Sequence, residues 1–366
     1  MIKVCILTTV HQAYDTRIFY KEIKTLSLMG YNVTFIVPHD TDEVIGNIKI
    51  RALTKPRNRF QRMCVLAWYA INLAKQEDAN LYHFHDSELL LVGLLLKAKN
   101  KNVIYDVHED LPRQILSKHW IPAPLRKPIS WIVERIEDYA AKQFDYVVTA
   151  TPYIRDRFLK INKNTIDVNN YPLLSELHIP NTDWGSKEKL VCYVGGISKI
   201  RGIQEMVQAI GITRYSMLLA GKFESSVERE IAVNREGWSR VIELGHVNRA
   251  EVKEILSRSM AGLVLFHPNP NHINAQPNKM FEYMSAGIPV IASHFPLWKQ
   301  IVEGNNCGIC VDPLNINEIA NAIIWIIENP EQAELMGENG RRAVVEKYNW
   351  EQESNKLIHV YKELLV

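Results

Sequence analysis

The stretch QPNKMFEYMSAGIPVIAS, residues 276–293, spaces Lys279, Glu282 and Tyr283 so that they share one face of a helix. Pro277 suits the first turn of that helix, and Ala-Gly-Ile-Pro closes it ahead of an apolar strand. An ammonium near a helix start opposes the helix dipole unless an anion binds there. A carboxylate one turn on accepts hydrogens from two neighbouring hydroxyls, as on a ribose. A plain Lys–Glu helix pair, worth about 0.2–0.5 kcal/mol, would use the same residues.

A second stretch, YVGGISKIRGIQEMV at 193–207, ends a strand at Gly195-Gly196 and opens a helix near Gly202. Small residues there let a ligand approach the backbone. Arg201 stands at the helix entrance, where free N–H groups already favour anions and a guanidinium adds bidentate phosphate recognition. The spacing is neither GxGxxG nor GxxxxGK[ST]. A tight turn with a surface arginine is the plainer interpretation. In DVHED, Asp106, His108, Glu109 and Asp110 cluster on one loop; Asp106 and Asp110 either cap the next helix or orient a hydroxyl. His83 and His85, in HFHD, alternate along a strand end and either line a cleft or sit in the core. Cys307 and Cys310 form a CxxC without a second pair, in what reads as a short strand, so they are taken as structural.

The elements that position these residues alternate along the whole chain. KVCILTT, NVTFIV, LYHF, NVIYDV and YVVTA read as buried strands, with helical patterns between them. One such pattern, DTRIFYKEIKTLSLMG, has Asp15 as N-cap and Gly30 at the C-cap position. Near residue 170 the rhythm breaks in VNNYPLLSELHIPNTDWGSKEK, then restarts with LVCYVGG, SMLLAG, VIELG, GLVLF, PVIAS and CGICV. The expected class is α/β, with two doubly wound Rossmann-like domains facing a central cleft. Residues 1–172 form the N-terminal domain, 173–188 a linker, 189–346 the C-terminal domain, and 347–366 a helix that packs back on the N-terminal domain. Ligands of such sheets bind at the carboxyl ends of the strands.

The 366 residues are 47% hydrophobic and 23% charged, an ordinary globular composition. The longest purely apolar run, LLLVGLLL at 89–96, is too short for a spanning helix, which needs about 20 residues. The start MIKVCILTTV reads as a first strand rather than a signal peptide, so a cytoplasmic location is expected. Residues 1–180 hold 24 Lys and Arg against 19 Asp and Glu; the rest hold 19 against 22. Without a basic, aromatic-studded sheet pattern, nucleic acid is not an expected partner.

GISKIRGI followed by PNKMFEYMSAGIPVIAS resembles the donor half of the family 4 retaining glycosyltransferases of GT-B fold. HQAYDTRIFYKEIKTLSLMGYNVTFIV, LYHFHDSELLLVGLLLK, VIYDVHEDLPRQIL and ATPYIRDRF resemble the N-terminal half of the same family, especially its bacterial polysaccharide-assembly members. The resemblance implies that Arg201 and Lys279 clamp the diphosphate of a UDP- or GDP-type sugar and stabilise the leaving group. It implies that Glu282 binds the ribose, that Asn278 lies with it at the donor, and that Gly195 and Gly196 approach the phosphates. His246 and Val247, in GHV, fall where main-chain groups read the base, and His108 falls where a histidine sits near the transferring sugar. No essential metal or other cofactor is implied. DTD at 40–42 matches the DxD of metal-using transferases but reads as a polar loop.

Three departures from the family pattern stand out. Its glutamate eight positions before Glu282 is here Asn274. The arginine that many members have after YVG is Gly196, with Lys222 as a compensating cation. The glycine-rich loop after the first strand is replaced by TTVHQAYDTR, where Asp15 and Arg17 take its place beside the cleft, with His85 and Glu109 as further acceptor-side candidates. KPRNRFQRMCVLAWY and RQILSKHWIPAPLRKPISWIVER mix Arg57, Arg59, Arg62, Lys118, Arg126 and Lys127 with Phe60, Trp68, Trp120 and Trp131. That mixture suits an anionic membrane surface and a lipid-linked glycan acceptor; the same aromatics packed in a core would leave only solvated charges. Two alternatives to a transferase are a GT-B nucleotide-sugar epimerase and a catalytically degenerate scaffold of a polysaccharide assembly complex.

Overall fold

The computed structural model describes residues 2–56, 58, 61–118, 120–177 and 184–365. Arg57, Arg59 and Phe60 lie outside the described residues, as do part of the expected linker and the Arg62 side chain. The chain divides into two compact units, Met1–Asn170 with Glu351–Val366, and Tyr171–Trp350.

The first unit is built on eight strands: β1 (Lys3–Leu7), β2 (Asn32–Pro38), β3 (Glu43–Ile45), β4 (Ile48–Leu53), β5 (Leu81–Phe84), β6 (Asn102–Val107), β7 (Tyr146–Thr149) and β8 (Thr165–Asp167). They run in the order β3-β4-β2-β1-β5-β6-β7-β8. All pairs are parallel except β3 on β4. The central strands are apolar on both faces because helices cover both; Val4 to Leu7 are all 1% exposed or less. Chain order reverses between β1 and β5, so Thr8-Thr9 and His85-Asp86 leave the sheet side by side. After β1, Asp15 Oδ1 accepts the N–H groups of Arg17 and Ile18 at 2.8 and 3.0 Å, nucleating a helix of π pitch over Ile18–Ile23 that continues as α-helix over Lys24–Leu28. Gly30, at φ 85°, follows that helix.

The helix Trp350–Leu365 packs within this unit from Glu351 onward. Tyr361 is fully buried and its hydroxyl meets His83 Nδ1 at 2.8 Å. Glu353 accepts the N–H of Asn169 at 2.7 Å.

The second unit holds β9 (Leu190–Val194), β10 (Ser216–Ala220), β11 (Val241–Gly245), β12 (Ala261–Val264), β13 (Val290–Ser293) and β14 (Gly308–Val311), all parallel, in the order β11-β10-β9-β12-β13-β14. Its order reverses between β9 and β12, so the Gly195-Gly196 turn emerges at the switch point. Two apolar clusters cover the two faces of this sheet. Cys307 and Cys310 flank the start and body of β14 as free thiols.

Candidate functional site

In the second unit the residues converge at the carboxyl end of β9. Gly195 adopts φ +126°, a region that L side chains rarely take, and a Cβ there would sit 3.1 Å from Lys279 Nζ. Gly202 (φ +78°) precedes the helix Ile203–Ile212, and a Cβ on it would lie 2.0 Å from the Leu265 carbonyl oxygen. Between these two glycines, Arg201 donates from Nη1 to the Gly196 carbonyl at 3.0 Å. Neighbouring strand ends are tied in by backbone bonds, Gly195 N–H to Ala220 O and Gly221 N–H to Gly245 O. Lys222, exposed, follows β10; exposed His246 and half-buried Val247 follow β11.

Lys279 stands in the first turn of the helix Asn278–Ala286, which runs from Pro277 to Gly287. Its side chain runs inward. The residue is 9% exposed, and Nζ lies 3.5 Å above the Tyr193 ring and 5.7 Å from that of Phe266. Among the described residues that nitrogen has no hydrogen-bond partner. Burial, reinforced by Arg201, pushes its pKa well below the usual lysine range, and Glu282 opposes the shift only in part. A buried ammonium without a partner is expensive; an anion delivered to the Gly195 turn would supply the missing partner. Tyr193 is fixed beneath it by a 2.6 Å bond to the Gly196 carbonyl, and Tyr283 by a 2.9 Å bond from the Val194 N–H.

Glu282 does not pair with Lys279. Its Oε1 accepts from Arg249 Nη1 at 2.9 Å, and Arg249 Nη2 reaches Glu176 Oε2 at 2.7 Å. Arg249 was not read as a site residue. The one local signal is Asn248 with Glu251, a capping box that starts a helix at Arg249. Asn278 is exposed at the helix start, and Asn274 C-caps the short helix Pro270–Ile273.

In the first unit, β5 and β6 bring His83, His85 and Asp106 together with Arg17 and Glu22. Arg17 corrects its sequence-based placement. It is 4% exposed, with Nη2 on both Asp106 oxygens at 3.0–3.1 Å, Nη1 on the Val168 carbonyl at 2.7 Å and Nε 2.9 Å from Glu22. It is a core counter-ion instead of a cleft-facing group, because β6 delivers a carboxylate into the interior beside it. His83 is a fully buried core histidine. His85 is 3% exposed, stacks on His83 at 4.7 Å and meets His108 Nε2 with Nδ1 at 3.1 Å. His108 is partly exposed and lies 4.8 Å from His11, whose Nδ1 is 3.5 Å from Asp15. Glu109 stands apart, exposed and bonded to Gln114. Asp110 occupies the N-cap position before Leu111–Ser117 without a side-chain cap bond and pairs with Arg157 instead.

The two carboxyls of this cluster shift in opposite directions. Burial would raise Asp106, but Arg17 and the histidines hold it well below the usual range. Burial, then Asp106, drives Glu22 well above it. Burial lowers His108 to about 3 and His85 well below 6.5, the former with help from Arg17 and the latter from His83. Glu22, His83, His85 and Asp106 offer ligand atoms within 4.8 Å of one another. Arg17 already lies against both carboxylates, 3.0 Å from Asp106 and 2.9 Å from Glu22, so a divalent ion would have to compete with its guanidinium. The cluster is a buried ionic core with His108 as its partly exposed tip, in which both Glu22 oxygens, His83 Nε2 and His85 Nε2 have no hydrogen-bond partner among the described residues.

Both halves of the chain match family models: residues 16–168 match "Glycosyltransferase Family 4", and residues 175–343 match "Glycosyl transferases group 1". The chain is a family 4 glycosyltransferase. This glycosyltransferase is 19% identical over 295 residues to an MMP alpha-(1->4)-mannosyltransferase of Mycolicibacterium hassiacum, covering 77% of the chain and 70% of the relative. Its fold is that of sucrose-phosphate synthase from Thermosynechococcus elongatus, with TM-score 0.80 at 20% identity over 100% and 99% of the two chains. Anabaena HepE, solved in complex with UDP, superposes with TM-score 0.74 at 14% identity over 99% and 100%. The glycosyltransferase therefore has the GT-B fold, and Lys279 and Arg201 sit at the end of β9 in its second Rossmann-like unit.

The two basic-aromatic stretches fall in the first unit. Trp68, Trp120 and Trp131 are 62–63% exposed, so these indoles are not core. Along the helix Ala123–Gln143, Leu125, Ile132, Ile136 and Tyr139 are also at least 49% exposed, with Lys127 exposed nearby. Among the described residues, no helix is long and apolar enough to cross a membrane.

Proposed function

We propose that this glycosyltransferase moves a hexose-type unit, with retention of configuration, from a UDP- or GDP-type sugar to a glycan or lipid-linked acceptor in surface-polysaccharide assembly. The observation that carries the proposal is the buried, unpartnered ammonium of Lys279 beside Arg201 and the positive-φ turn at Gly195. Glycosyl transfer develops positive charge on the sugar and negative charge on the leaving diphosphate. Lys279 and Arg201 stabilise that negative charge in a desolvated site, where preorganised cations act most strongly. Glu282 takes the ribose hydroxyls, and the Gly195-Gly196 backbone lies against the phosphates. These cations do the work in this proposal without an essential metal. His108, a neutral imidazole, serves as a hydrogen-bonding partner for a sugar hydroxyl. The exposed indoles and basic residues of the first unit support peripheral binding to the inner, anionic face of a membrane, where a lipid-linked acceptor would be met.

The test is calorimetric binding of a panel of nucleoside diphosphates to wild type, Lys279→Ala and Glu282→Ala. Tight binding of one nucleotide, weakened in both variants, upholds the donor site and names the base. Absence of binding to any of them by a folded protein rejects the transferase proposal in favour of a scaffold.

A further inference from the structure

The carboxylate assigned to the ribose is not free to choose its orientation. Glu282 sits on the helix Asn278–Ala286 with a side chain only 17% exposed, and Lys279, one turn away, points instead at Tyr193. What faces Glu282 is Arg249, whose two terminal nitrogens bridge it to Glu176 at 2.9 and 2.7 Å. Three elements meet at that guanidinium: the short helix Leu174–Leu177, the helix Asn278–Ala286 and the helix Arg249–Arg258. Arg249 is itself held in place, since Asn248 and Glu251 close a capping box around the start of its helix. One residue, the N-cap Asn248, separates it from the Gly245–Val247 segment that leaves β11. Only Oε1 of Glu282 is taken; among the described residues no protein group donates to Oε2.

We propose that Arg249 is a positioning residue that sets the preference of the donor site for ribose. It holds one oxygen of Glu282 in an ion pair and leaves the other to a vicinal diol. This inference rests on the proposed donor site. A guanidinium bridging two carboxylates fixes their geometry more firmly than an ammonium would, because its donors lie in a rigid plane.

The test compares, by calorimetry, the nucleoside diphosphate that wild type binds best with its 2′,3′-dideoxy counterpart, on wild type, Arg249→Ala, Arg249→Lys and Glu282→Ala. Wild type is expected to favour the ribonucleotide roughly thirty-fold, the combined worth of charge-assisted bonds to one carboxylate. In Arg249→Ala the ratio falls to about three-fold or less, the lysine variant lies between, and affinity for the dideoxy compound stays unchanged. A merely structural role would weaken both ligands alike. An unchanged ratio in Arg249→Ala, or tighter ribonucleotide binding, overturns the inference while the donor site stands. A wild type that binds neither compound overturns the donor site and this inference with it.

Discussion

Replacing Lys279 by methionine should stabilise the unliganded protein and disable it. The stem of Lys279 is packed and the residue is 9% exposed, so an unbranched apolar side chain keeps most of the packing. What leaves is an ammonium with no hydrogen-bond partner among the described residues. An unsatisfied buried polar group costs about 1–3 kcal/mol, more when charged. Its contact with the Tyr193 ring at 3.5 Å returns about 0.5–2 kcal/mol. The balance is a gain of about 1 kcal/mol, or a midpoint raised by about 2–4 °C for a unit of this size. Nucleotide binding moves the other way. Loss of one charge-assisted contact, about 1.5–3 kcal/mol, weakens diphosphate affinity roughly 10- to 150-fold. Differential scanning calorimetry without ligand and titration with the diphosphate measure the two effects on one preparation. A midpoint that drops by more than about 4 °C would show that the ammonium holds the fold together. Diphosphate affinity within about three-fold of wild type would refute the clamp.

Three further outcomes follow from the first unit and its surface. Asp106→Asn takes from buried Arg17 the carboxylate it holds at 3.0–3.1 Å and should cost about 3–5 kcal/mol, whereas Glu22→Gln, at a carboxyl whose charged form burial and Asp106 disfavour, should cost less than about 1.5 kcal/mol; urea unfolding separates them, and equal losses would contradict the different roles of the two carboxyls. His85 and His108 have folded pKa values below 6.5, the latter at about 3, so the unfolded chain binds more protons as pH falls below 6.5. Their contribution is intact above that value and is lost between pH 6.5 and about 3, so the urea midpoint should decline across this window, and less steeply in His108→Asn. Trp120→Ser with Trp131→Ser should cut co-sedimentation with anionic vesicles several-fold, an outcome that requires the indoles to reach lipid.

What the sequence made legible tracks how local each cause is. LVCYV and VIAS became β9 and β13 with every residue buried, because a strand covered on both faces is continuously apolar. The strands EVI, IKIRAL and TID are not legible: EVI and TID are three-residue strands at the two edges of the sheet, and IKIRAL, between β2 and β3, mixes polar with apolar residues and gains definition only from its neighbours. Lys279 stood out because an ammonium in a helix's first turn is a local electrostatic conflict. Arg249 did not, since its meaning depends on Glu176, 73 positions away. Arg17 looked like a surface group amid a polar loop; Asp106, 89 positions on, draws it inside. Burial of a charge is decided by its partner, and long-range partners leave no periodicity behind.

The helix Trp350–Leu365 gives the chain a discontinuous first unit. On the ribosome, residues 1–170 emerge early, yet the hydroxyl that satisfies His83 and the carboxylate that satisfies Asn169 are borne by Tyr361 and Glu353. Translation at about 5–20 residues per second leaves that core waiting for roughly ten seconds or more while the second unit is made. The second unit, one uninterrupted segment, can close within that interval. Synthesis order and folding order are thus reversed: the part translated first is the last to be sealed, and a nascent chain stalled before Tyr361 exposes its histidine core to the cell's quality-control machinery.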